Sequence, residues 1–352
     1  MKLDKEKIEQ YYYKGLLRKA LNPTLELVQI DYTPEATYRN EWDEILSMCR
    51  GIIVDKDYNV VCPCMSKFFN FSQLSPEEQK KVVEQEKNFI ITEKYDGCLV
   101  FIYYYKGAWR INSKCSFDSF VITAAKKIFE RDHLDEKLDK NVCYIGECIS
   151  PATHILVEYG SEENIYFITG FKENKEIEWD EFKAHCEKLG IIRVQETNMS
   201  FDELLKWQKD HDWTSEGFVV RIKGSNYRVK FKSEDYLRVA KLKENLNIKH
   251  LVDLAITSSD DWQNVLHLVI VQLPDELQPI GKELVWQIKE NYRVLNTLIQ
   301  EEIEKTKNMT DKELGLSDNK YKTFIFMSRR GKSLDKNIFK MIKESYKNED
   351  NS

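Results

Sequence analysis

Five absences narrow the class of protein before any motif is considered. The 352-residue chain has no uninterrupted apolar run of membrane-spanning length, and its start, MKLDKEKIEQYYY, lacks the apolar segment of a signal peptide. It has no internal repeat and no low-complexity tract. It also has no basic excess, because its formal net charge is −6. That charge argues against a surface coated for non-specific nucleic-acid binding, but not against a local basic groove. We therefore expect a cytoplasmic protein with no membrane segment.

The cysteine pattern does not favour a metal site. All eight cysteines fall within the first 186 residues. The sequence Cys62-Pro63-Cys64 lacks the paired two-residue gap of a zinc ribbon, and no paired histidines follow it. Without a secretory signal, we expect reduced thiols in a cytosol. We predict that these cysteines are buried as small apolar side chains rather than bound to zinc.

The order of predicted elements indicates two domains. The apolar content of 42% is enough for a sizeable core. Strand patterns continue to residue 232, and helical periodicity dominates after about residue 243. We predict an α+β fold, with a mixed-sheet domain over residues 1–243 and a smaller all-helical domain over residues 244–352. The predicted strands are Leu25–Tyr32, a pair within Gly51–Val61, Phe89–Thr92, Cys98–Tyr105, Ala108–Ser113, Val142–Cys148, Ile165–Phe171, Gly217–Lys223 and Tyr227–Lys232. The predicted helices are residues 4–20, Ser75–Gln85, Asp118–Leu138, Asp180–Leu189, a helix beginning at Ser200, Leu251–Ile256, Trp262–Val271, Glu276–Lys305, Asn319–Arg330 and Leu334–Tyr346.

One lysine stands out in the stretch TEKYDGCLVFIYYYKG, which runs from Thr92 to Gly107. Lys94 lies between a predicted strand and an Asp96-Gly97 turn. A lysine amine attacks phosphorus only when it is deprotonated, and nearby cations with partial desolvation supply that form. Such a site also needs acids to hold a metal. The alternative is an exposed lysine beside a hairpin turn, so the interpretation depends on the rest of the chain.

Five charged residues elsewhere supply what such a site needs. Lys114 follows the predicted hairpin, and Glu147 and Glu216 lie on later strands. Lys230 and Lys232 alternate in VKFKSEDY, so both side chains point to the same sheet face. Two adjacent cations need an anion, and a nucleotide phosphate fits that role. The alternative is the polar outer face of a half-solvated sheet.

Together these motifs resemble the covalent nucleotidyltransferases, the group of ATP-dependent polynucleotide ligases and mRNA capping enzymes. More narrowly, the chain resembles the bacteriophage-type RNA ligase 1 family. The strings that carry the resemblance are CRGIIVD (Cys49–Asp55), MSKFFNF (Met65–Phe71), EKYDGCL (Glu93–Leu99), SKCS (Ser113–Ser116), GECISPATHILVEY (Gly146–Tyr159), EGFVV (Glu216–Val220) and VKFKSEDY (Val229–Tyr236). They follow the family's order. Cys98 stands where relatives often have serine, so the resemblance does not extend to a hydroxyl contact there.

The resemblance implies roles for individual residues. Lys94 would be the nucleophile, and Lys230 and Lys232 would contact the α-phosphate and the leaving pyrophosphate. Glu216 and Glu147 would hold the metal. The residues implied at the nucleotide are Glu93, Arg50, Lys67, Phe69, Lys114, Glu147, Glu216 and Tyr236. Structural roles stay open for some of these, such as an ion pair for Arg50, a core position for Phe69 and a helix anchor for Tyr236.

The function that the resemblance implies is ATP-dependent sealing of RNA 5′-phosphate and 3′-hydroxyl ends through lysyl-AMP, with Mg²⁺ or Mn²⁺. RNA repair is the expected setting, with a nicked tRNA as one candidate substrate, in a protein that a phage or virus could encode. The alternatives are a DNA ligase, a capping-type nucleotidyltransferase and a catalytically inactive RNA-binding protein. Nine Lys or Arg against three acids between residues 221 and 249, and a second basic run over residues 320–343, predict RNA contacts. We expect the helical domain to select structured RNA.

Overall fold

The computed structural model describes residues 1–257, 261–273 and 277–349 of the chain. The chain divides into two compact units, one ending at Leu237 and the other beginning at Arg238. The first unit contains three β-sheets with helices, and the described part of the second is helical. The predicted α+β class is therefore confirmed. The predicted domain boundary at residue 243 lies inside a helix, Glu234–Asn245.

The first sheet is an antiparallel meander near the start of the chain. Its strands are β1 (Leu17–Asn22), β2 (Leu27–Tyr32), β3 (Arg50–Asp55) and β4 (Val60–Cys62), and its helices are α1 (Lys5–Tyr13), α2 (Pro34–Arg39) and α3 (Glu44–Met48). The prediction of a helix over residues 4–20 is wrong beyond α1. Gly15 has a φ of +72°, a left-handed conformation that ends the helix. Leu16 and Leu17 are then buried as the chain enters β1.

Two five-stranded sheets complete the first unit. Their strands are β5 (Phe69–Asn70), β6 (Phe89–Lys94), β7 (Cys98–Tyr105), β8 (Ala108–Ser113), β9 (Val142–Ile149), β10 (Asn164–Lys172), β11 (Lys175–Glu176), β12 (Glu196–Thr197), β13 (Gly217–Ile222) and β14 (Arg228–Lys232). The second sheet has the order β11-β10-β9-β7-β8, and the third has the order β12-β6-β13-β14-β5. All neighbouring strands are antiparallel except β14 and β5.

The helices of the first unit begin and end at recognisable sequence signals. They are α4 (Pro76–Val83), α5 (Phe120–Arg131), α6 (Leu134–Lys137), α7 (Trp179–Leu189) and α8 (Phe201–Asp210), with single 3₁₀ turns at Phe71–Gln73, Glu86–Asn88 and Pro151–Thr153. The next helix, α9 (Glu234–Asn245), has residues in both units. Ser75 and Ser200 form capping boxes with the glutamates three residues later. The predicted helix Asp118–Leu138 is interrupted, because His133 has a φ of +51° between α5 and α6.

Strand β7 lies at the centre of the first unit and is buried on both faces. Val100 and Ile102 pack in a cluster with the apolar face of α5, whereas Phe101 and Tyr103 pack in a second cluster with Leu27 and other side chains from the first sheet. All four β7 side chains are fully buried. A strand held from both sides fixes the turn that joins β6 to β7, and this turn carries Asp96 and Gly97.

The second unit packs its helices around their apolar faces. Its helices are α10 (Ile248–Thr257), α11 (Trp262–Val271), α12 (Gln278–Lys305), α13 (Asp311–Leu316), α14 (Lys322–Arg329) and α15 (Asp335–Glu349). Its core includes Leu251, Ile288 and Phe339. The predicted start of the long helix at Glu276 lies outside the described residues. Within the described ranges, no helix combines the length and the apolar content needed to cross a membrane.

Candidate active site

Three neighbouring strands of the third sheet, β6, β13 and β14, present nine residues on one face. Their pairing registers arrange these residues in a first, second and third row. The rows are Lys94–Gly217–Lys232, Thr92–Val219–Lys230 and Ile90–Arg221–Arg228. Alternate residues of a strand share a face, so the three rows are side by side. A cavity over this face is lined by six of the nine and by Leu99, Glu147 and Ile168 of the second sheet.

A buried glutamate joins the two lysines of the first row. The Lys94 Nζ lies 2.6 Å from Glu216 Oε2, and the Lys232 Nζ lies 2.8 Å from Glu216 Oε1. Burial alone would lower the pKa of Lys94, but attraction to Glu216 and Glu147 outweighs it and raises the pKa above its ordinary value. Burial likewise opposes ionisation of Glu216, yet Lys94 and Lys232 hold its pKa below the ordinary value. The ion pair with Glu216 therefore favours the protonated form of the Lys94 amine.

Two glycines allow the chain to pass close to these charges. Gly217 has a φ of +143°, and an added Cβ would lie 2.0 Å from the Phe231 carbonyl oxygen. A Cβ on Gly97 would lie 2.5 Å from the Cys148 carbonyl oxygen and 3.1 Å from the Glu147 Cγ. Real Cβ atoms essentially never lie closer than 3.0 Å to another heavy atom. The distances of 2.0 and 2.5 Å are below this limit, and the distance of 3.1 Å is close to it. Space therefore requires glycine at both positions, and the positive φ of Gly217 is a second reason for glycine there.

Asp96 belongs to the same Lys-x-Asp-Gly motif as Lys94. Its side chain is buried and anchors a loop rather than facing the cavity. Its Oδ2 accepts hydrogen bonds from the backbone N–H groups of Leu156 and Val157, both at 2.8 Å. Its Oδ1 accepts a hydrogen bond of 2.7 Å from the Tyr236 hydroxyl. The Asp96 N–H donates in turn to the Tyr159 hydroxyl at 2.9 Å. Asp96 thus ties the turn after Lys94 to the loop after β9 and to the start of α9.

Three cations at the site have no carboxylate partner. Among the residues that the structure describes, Arg50, Lys67 and Lys230 form no ion pair, and the Nη1 of Arg50 is buried without a hydrogen-bond acceptor. Arg50 and Lys230 both lie against the Phe68 ring, at 5.1 and 4.6 Å from its centroid. Burial, together with repulsion from Arg50 and neighbouring lysines, lowers the pKa of Lys230 well below its ordinary value. An anionic ligand would stabilise these unpaired positive charges.

Lys67 lies in an aromatic cage beside the cavity. Its Nζ is 4.8, 5.1 and 5.5 Å from the ring centroids of Tyr32, Trp42 and Phe69. Lys114 lies 4.3 Å from the same Tyr32 centroid and 3.5 Å from Asp31 Oδ1. Burial would raise the pKa of Tyr32, but Lys114, Arg50 and Lys67 outweigh it and lower the pKa. Phe69 therefore contacts Lys67, and the ring that lines the cavity is its neighbour Phe68.

The two remaining acids of the predicted set differ in position. Glu147 lines the cavity, and burial raises its pKa to about 7 against the opposing attraction of Lys94. Glu93 also borders the cavity, but strand alternation directs its side chain to the opposite face of β6 from Lys94. Tyr236 is buried and contacts the site twice, because the Lys232 Nζ lies 5.1 Å from its ring centroid and its hydroxyl donates to Asp96. The structure thus gathers Lys94, Lys232, Glu216 and Glu147 around one point, with the other predicted residues around them.

Sequence reasoning missed several residues of the cavity. Arg221 and Arg228 form the third row, and both donate to the buried carboxylate of Glu176 on β11. Alternate residues of β14 share a face, so the pattern that places Lys230 and Lys232 together also places Arg228 with them. The sequence therefore contained a signal for Arg228. No local pattern marks Glu176, because it comes from another sheet. Phe68 was passed over in favour of Phe69, although the two differ only in which face of the chain they occupy.

The predicted RNA surface between residues 221 and 249 is largely internal or engaged. Arg221 and Arg228 are buried, and Lys230 and Lys232 belong to the site. Lys223 lies 2.6 Å from Asp180. Burial removes Arg221 and Arg228 from any surface that RNA could reach, whereas Lys223 stays mostly exposed, and RNA contact by the run remains a prediction. A count of charged residues includes strand side chains that face a cavity as well as side chains on the surface. Composition alone therefore cannot show which of these cations RNA could reach.

Protein side chains alone do not form a metal cage in this structure. No group of three or more His, Cys, Asp or Glu side chains within the described ranges could hold a metal ion. Cys62 and Cys64 are both buried and carry free thiols, in agreement with their predicted apolar role. Glu147 and Glu216 offer two carboxylates at the cavity, a number that suits an ion whose other ligands are phosphate oxygens.

Comparison with known proteins places these motifs in a family. A family sequence model described as RNA ligase matches residues 48–237. A protein of Autographa californica nuclear polyhedrosis virus, named as a bifunctional polynucleotide kinase/RNA ligase, is 25% identical over 264 residues. That alignment covers 67% of this chain and 37% of the viral protein, so the chain spans little more than a third of this relative.

Solved structures of Naegleria gruberi RNA ligase are also similar to the chain. A lysine-to-alanine variant described with ATP and manganese has 15% identity and a TM-score of 0.43, covering 68% of this chain and 83% of that chain. The same ligase described with pyrophosphate has 16% identity and a TM-score of 0.43, covering 51% of this chain and 58% of that chain.

Proposed function

Because the chain belongs to this RNA ligase family, we propose that it is an ATP-dependent RNA ligase that seals 5′-phosphate and 3′-hydroxyl ends. The single observation that carries the proposal is the first row, where a buried carboxylate holds Lys94 and Lys232 beside three unpaired cations. An amine that must react with a highly charged nucleotide needs this combination, since neither a structural ion pair nor an RNA-binding surface requires unpaired cations beside a buried lysine.

The proposed chemistry begins at the Lys94 amine. The amine attacks the α-phosphorus of ATP, an N–P bond forms, the bond to pyrophosphate breaks, and lysyl-AMP results. AMP then passes to the RNA 5′-phosphate, and the 3′-hydroxyl displaces AMP as the strand is sealed. The amine must lose a proton first. Since Glu216 raises the pKa of Lys94, we expect nucleotide binding to draw Glu216 away from Lys94, which lowers the pKa of the amine and lets its proton pass to water before the attack.

The unpaired cations would hold the phosphates. Arg50, Lys67 and Lys230 lie around the cavity without carboxylate partners, and Lys232 becomes free when Glu216 takes another ligand. Glu147 and Glu216 would hold a divalent ion, Mg²⁺ or Mn²⁺, together with phosphate oxygens. When bound, this ion neutralises charge on the phosphates. The protein residues would orient the nucleotide around it.

A labelling experiment tests this function. The protein is incubated with ATP labelled at the α-phosphate and with Mg²⁺ or Mn²⁺, then separated on a denaturing gel. We expect covalent label from ATP that is absent in Lys94→Ala and retained in Lys87→Ala, since Lys87 is an exposed lysine on the 3₁₀ turn before β6. Label from GTP alone would indicate a capping-type enzyme. No label from either nucleotide in a folded protein would contradict the proposal and favour an RNA-binding protein.

The polymer is tested separately. Ligation of defined 5′-phosphate and 3′-hydroxyl ends in RNA and in DNA distinguishes an RNA ligase from a DNA ligase that shares the lysine chemistry. We propose RNA repair as the setting, with a nicked tRNA as one substrate. The viral relative is consistent with a virus-encoded enzyme acting in a host cytoplasm. Efficient sealing of DNA but not RNA would contradict this part of the proposal.

The helical unit carries a basic surface that would contact RNA. Exposed cations cluster at the turn between α14 and α15, and none of them forms an ion pair with a described carboxylate. They are Arg330, Lys332, Lys336 and Lys340. Changing these four to glutamine should weaken sealing of a nicked tRNA and reduce its salt dependence, while sparing a short linear RNA. The matched control changes four exposed lysines of the first unit, Lys80, Lys87, Lys206 and Lys209. Equal effects of the two sets on both RNAs would contradict selection by the helical unit.

A further inference from the structure

The third row lies at the end of the cavity away from Lys94. Four residues along a strand separate Lys94 from Ile90, and the same number separates Lys232 from Arg228. At a rise of about 3.3 Å per residue, the third row is about 13 Å from the first. Because the cavity runs along the rows from Lys94 to Arg221 and Arg228, a mononucleotide whose α-phosphorus meets Lys94 can place its base at the third row.

The third row offers hydrogen-bond donors to the cavity. Arg221 and Arg228 both line it, whereas Glu176, which holds them, does not. The Arg221 Nη2 donates to Glu176 Oε1 at 2.7 Å and to the Thr169 hydroxyl at 3.3 Å. A guanidinium has five N–H donors. No acceptor for the Nε or Nη1 of Arg221 is found among the described residues, so these donors remain for a ligand.

Arg221 and Arg228 form ion pairs with one carboxylate, that of Glu176, and Glu178 attracts Arg221 without an ion pair. Two guanidiniums share the single carboxylate of Glu176, and all three side chains are at most 8% exposed. Desolvation and repulsion from Arg228 lower the pKa of Arg221 to about 10. The free N–H groups of Arg221 are buried, and a buried donor is stabilised by a hydrogen-bond acceptor. A bound molecule can supply that acceptor.

We propose that Arg221 reads the nucleobase by donating a hydrogen bond to the N1 ring nitrogen of adenine, a specificity contact that rests on the proposed use of ATP. N1 lies on the six-membered ring, at the side of the purine remote from the phosphate. In adenine this atom is an acceptor, whereas in guanine it carries a hydrogen and would face a second donor. Arg221 thereby favours a purine whose N1 is an acceptor over a purine whose N1 carries a hydrogen.

Nucleotide analogues test this contact in the unmodified protein. Rates of covalent label transfer are compared for ATP, 1-deaza-ATP, in which N1 is replaced by CH, and 7-deaza-ATP, which keeps N1. We expect 1-deaza-ATP to lose about 10- to 100-fold in kcat/KM, the range for a hydrogen bond from a charged donor, and 7-deaza-ATP to react within about 3-fold of ATP. Equal reaction of ATP and 1-deaza-ATP would overturn the inference, and so would preferential labelling by GTP.

A pair of arginine variants links the effect to one side chain. Arg221→Met should weaken reaction with ATP and remove its advantage over 1-deaza-ATP. Arg193→Met is the matched control, because the Arg193 and Arg221 guanidiniums lie at 5.6 and 5.5 Å from the same Trp179 ring centroid, but Arg193 does not line the cavity. Arg193→Met should still react faster with ATP than with 1-deaza-ATP. If Arg221→Met does not fold, the analogue comparison in the unmodified protein still decides.

Failure of this inference is distinguishable from failure of the proposed function. A folded protein that transfers label from no nucleotide refutes the proposed function, and this contact with it. A protein that labels Lys94 from ATP and from 1-deaza-ATP at the same rate keeps the proposed function and refutes only the role of Arg221.

Discussion

Replacing Asp96 with alanine should loosen the loop after β9 more than any comparable change on the surface. The Asp96 carboxylate accepts three buried hydrogen bonds, from the N–H groups of Leu156 and Val157 and from the Tyr236 hydroxyl. Asp96 is 3% exposed and Tyr236 4%, so water does not readily replace the lost acceptor. Removing the carboxylate leaves three donors without partners at once.

The magnitude follows from these three bonds. A buried donor left without a partner costs about 1–3 kcal/mol, so the loss of three partners in Asp96→Ala should destabilise this region by about 3–9 kcal/mol. Asp96→Asn keeps one amide oxygen and should cost less than half of that. Tyr236→Phe removes one bond and leaves the carboxylate its other two, so about 1–2 kcal/mol is expected.

Hydrogen exchange of the amides of Leu156 and Val157 measures this opening directly. The matched control is Asp212→Ala, because Asp212 is an exposed aspartate whose hydrogen bonds stay within its own turn. It should leave the exchange of both amides unchanged. If Asp96→Ala changes the free energy of opening by less than about 1 kcal/mol, or if Asp212→Ala has the same effect, the anchoring role of Asp96 is refuted.

Three further predictions concern the first row and its neighbour Glu147. Burial raises the pKa of Glu147 to about 7, so the native state binds a proton more tightly than the unfolded chain and stability falls as pH rises from about 4.5 to about 7. Glu147→Gln should remove this fall, as urea unfolding at pH 5 and pH 8 would show, and an unchanged pH dependence would contradict it. Glu216→Gln removes the main attraction that raises the pKa of Lys94, so competitive acylation followed by peptide mass spectrometry should find Lys94 reactive at lower pH than in the unmodified protein. A midpoint that stays in place would show that Glu216 does not control this amine. Gly217→Ala would place a Cβ 2.0 Å from the Phe231 carbonyl oxygen, so the protein should lose several kcal/mol of stability, and a normal urea midpoint would refute the steric argument.

Local patterns predicted much of the first unit. The limits of β7 and β8 and the turn between them follow from alternating apolar residues and from Lys106-Gly107, where both residues adopt positive φ. The helix that begins after Ser200 follows from its capping box. In these segments the signal lies within a few residues of the element that it specifies.

Other features depend on partners that are distant in sequence. Residues 14–20 have helical composition, but pairing of Leu17 with Tyr32 in the first sheet wins over that propensity. The two-residue strands β5, β11 and β12 exist only because a longer neighbour pairs with them. Propensity alone could not identify them.

The candidate site was predictable in its types of residue but not in its contacts. Alternation placed Lys230 and Lys232 on one face, as the register of β14 confirms. It could not show that Glu216 bridges Lys94 and Lys232, because that contact requires β6, β13 and β14 to pair. It also could not show that Asp96 faces away from the cavity.

The most direct measurement is the location of the covalent nucleotide. After incubation with ATP and Mg²⁺ or Mn²⁺, peptide mass spectrometry of the digested protein should find AMP on the peptide that contains Lys94, attached to its side-chain nitrogen. The adduct should vanish in Lys94→Arg, which keeps the positive charge but not a reactive amine. An adduct on any other residue, or none in a folded protein with either metal, would contradict the central claim that this amine attacks the nucleotide.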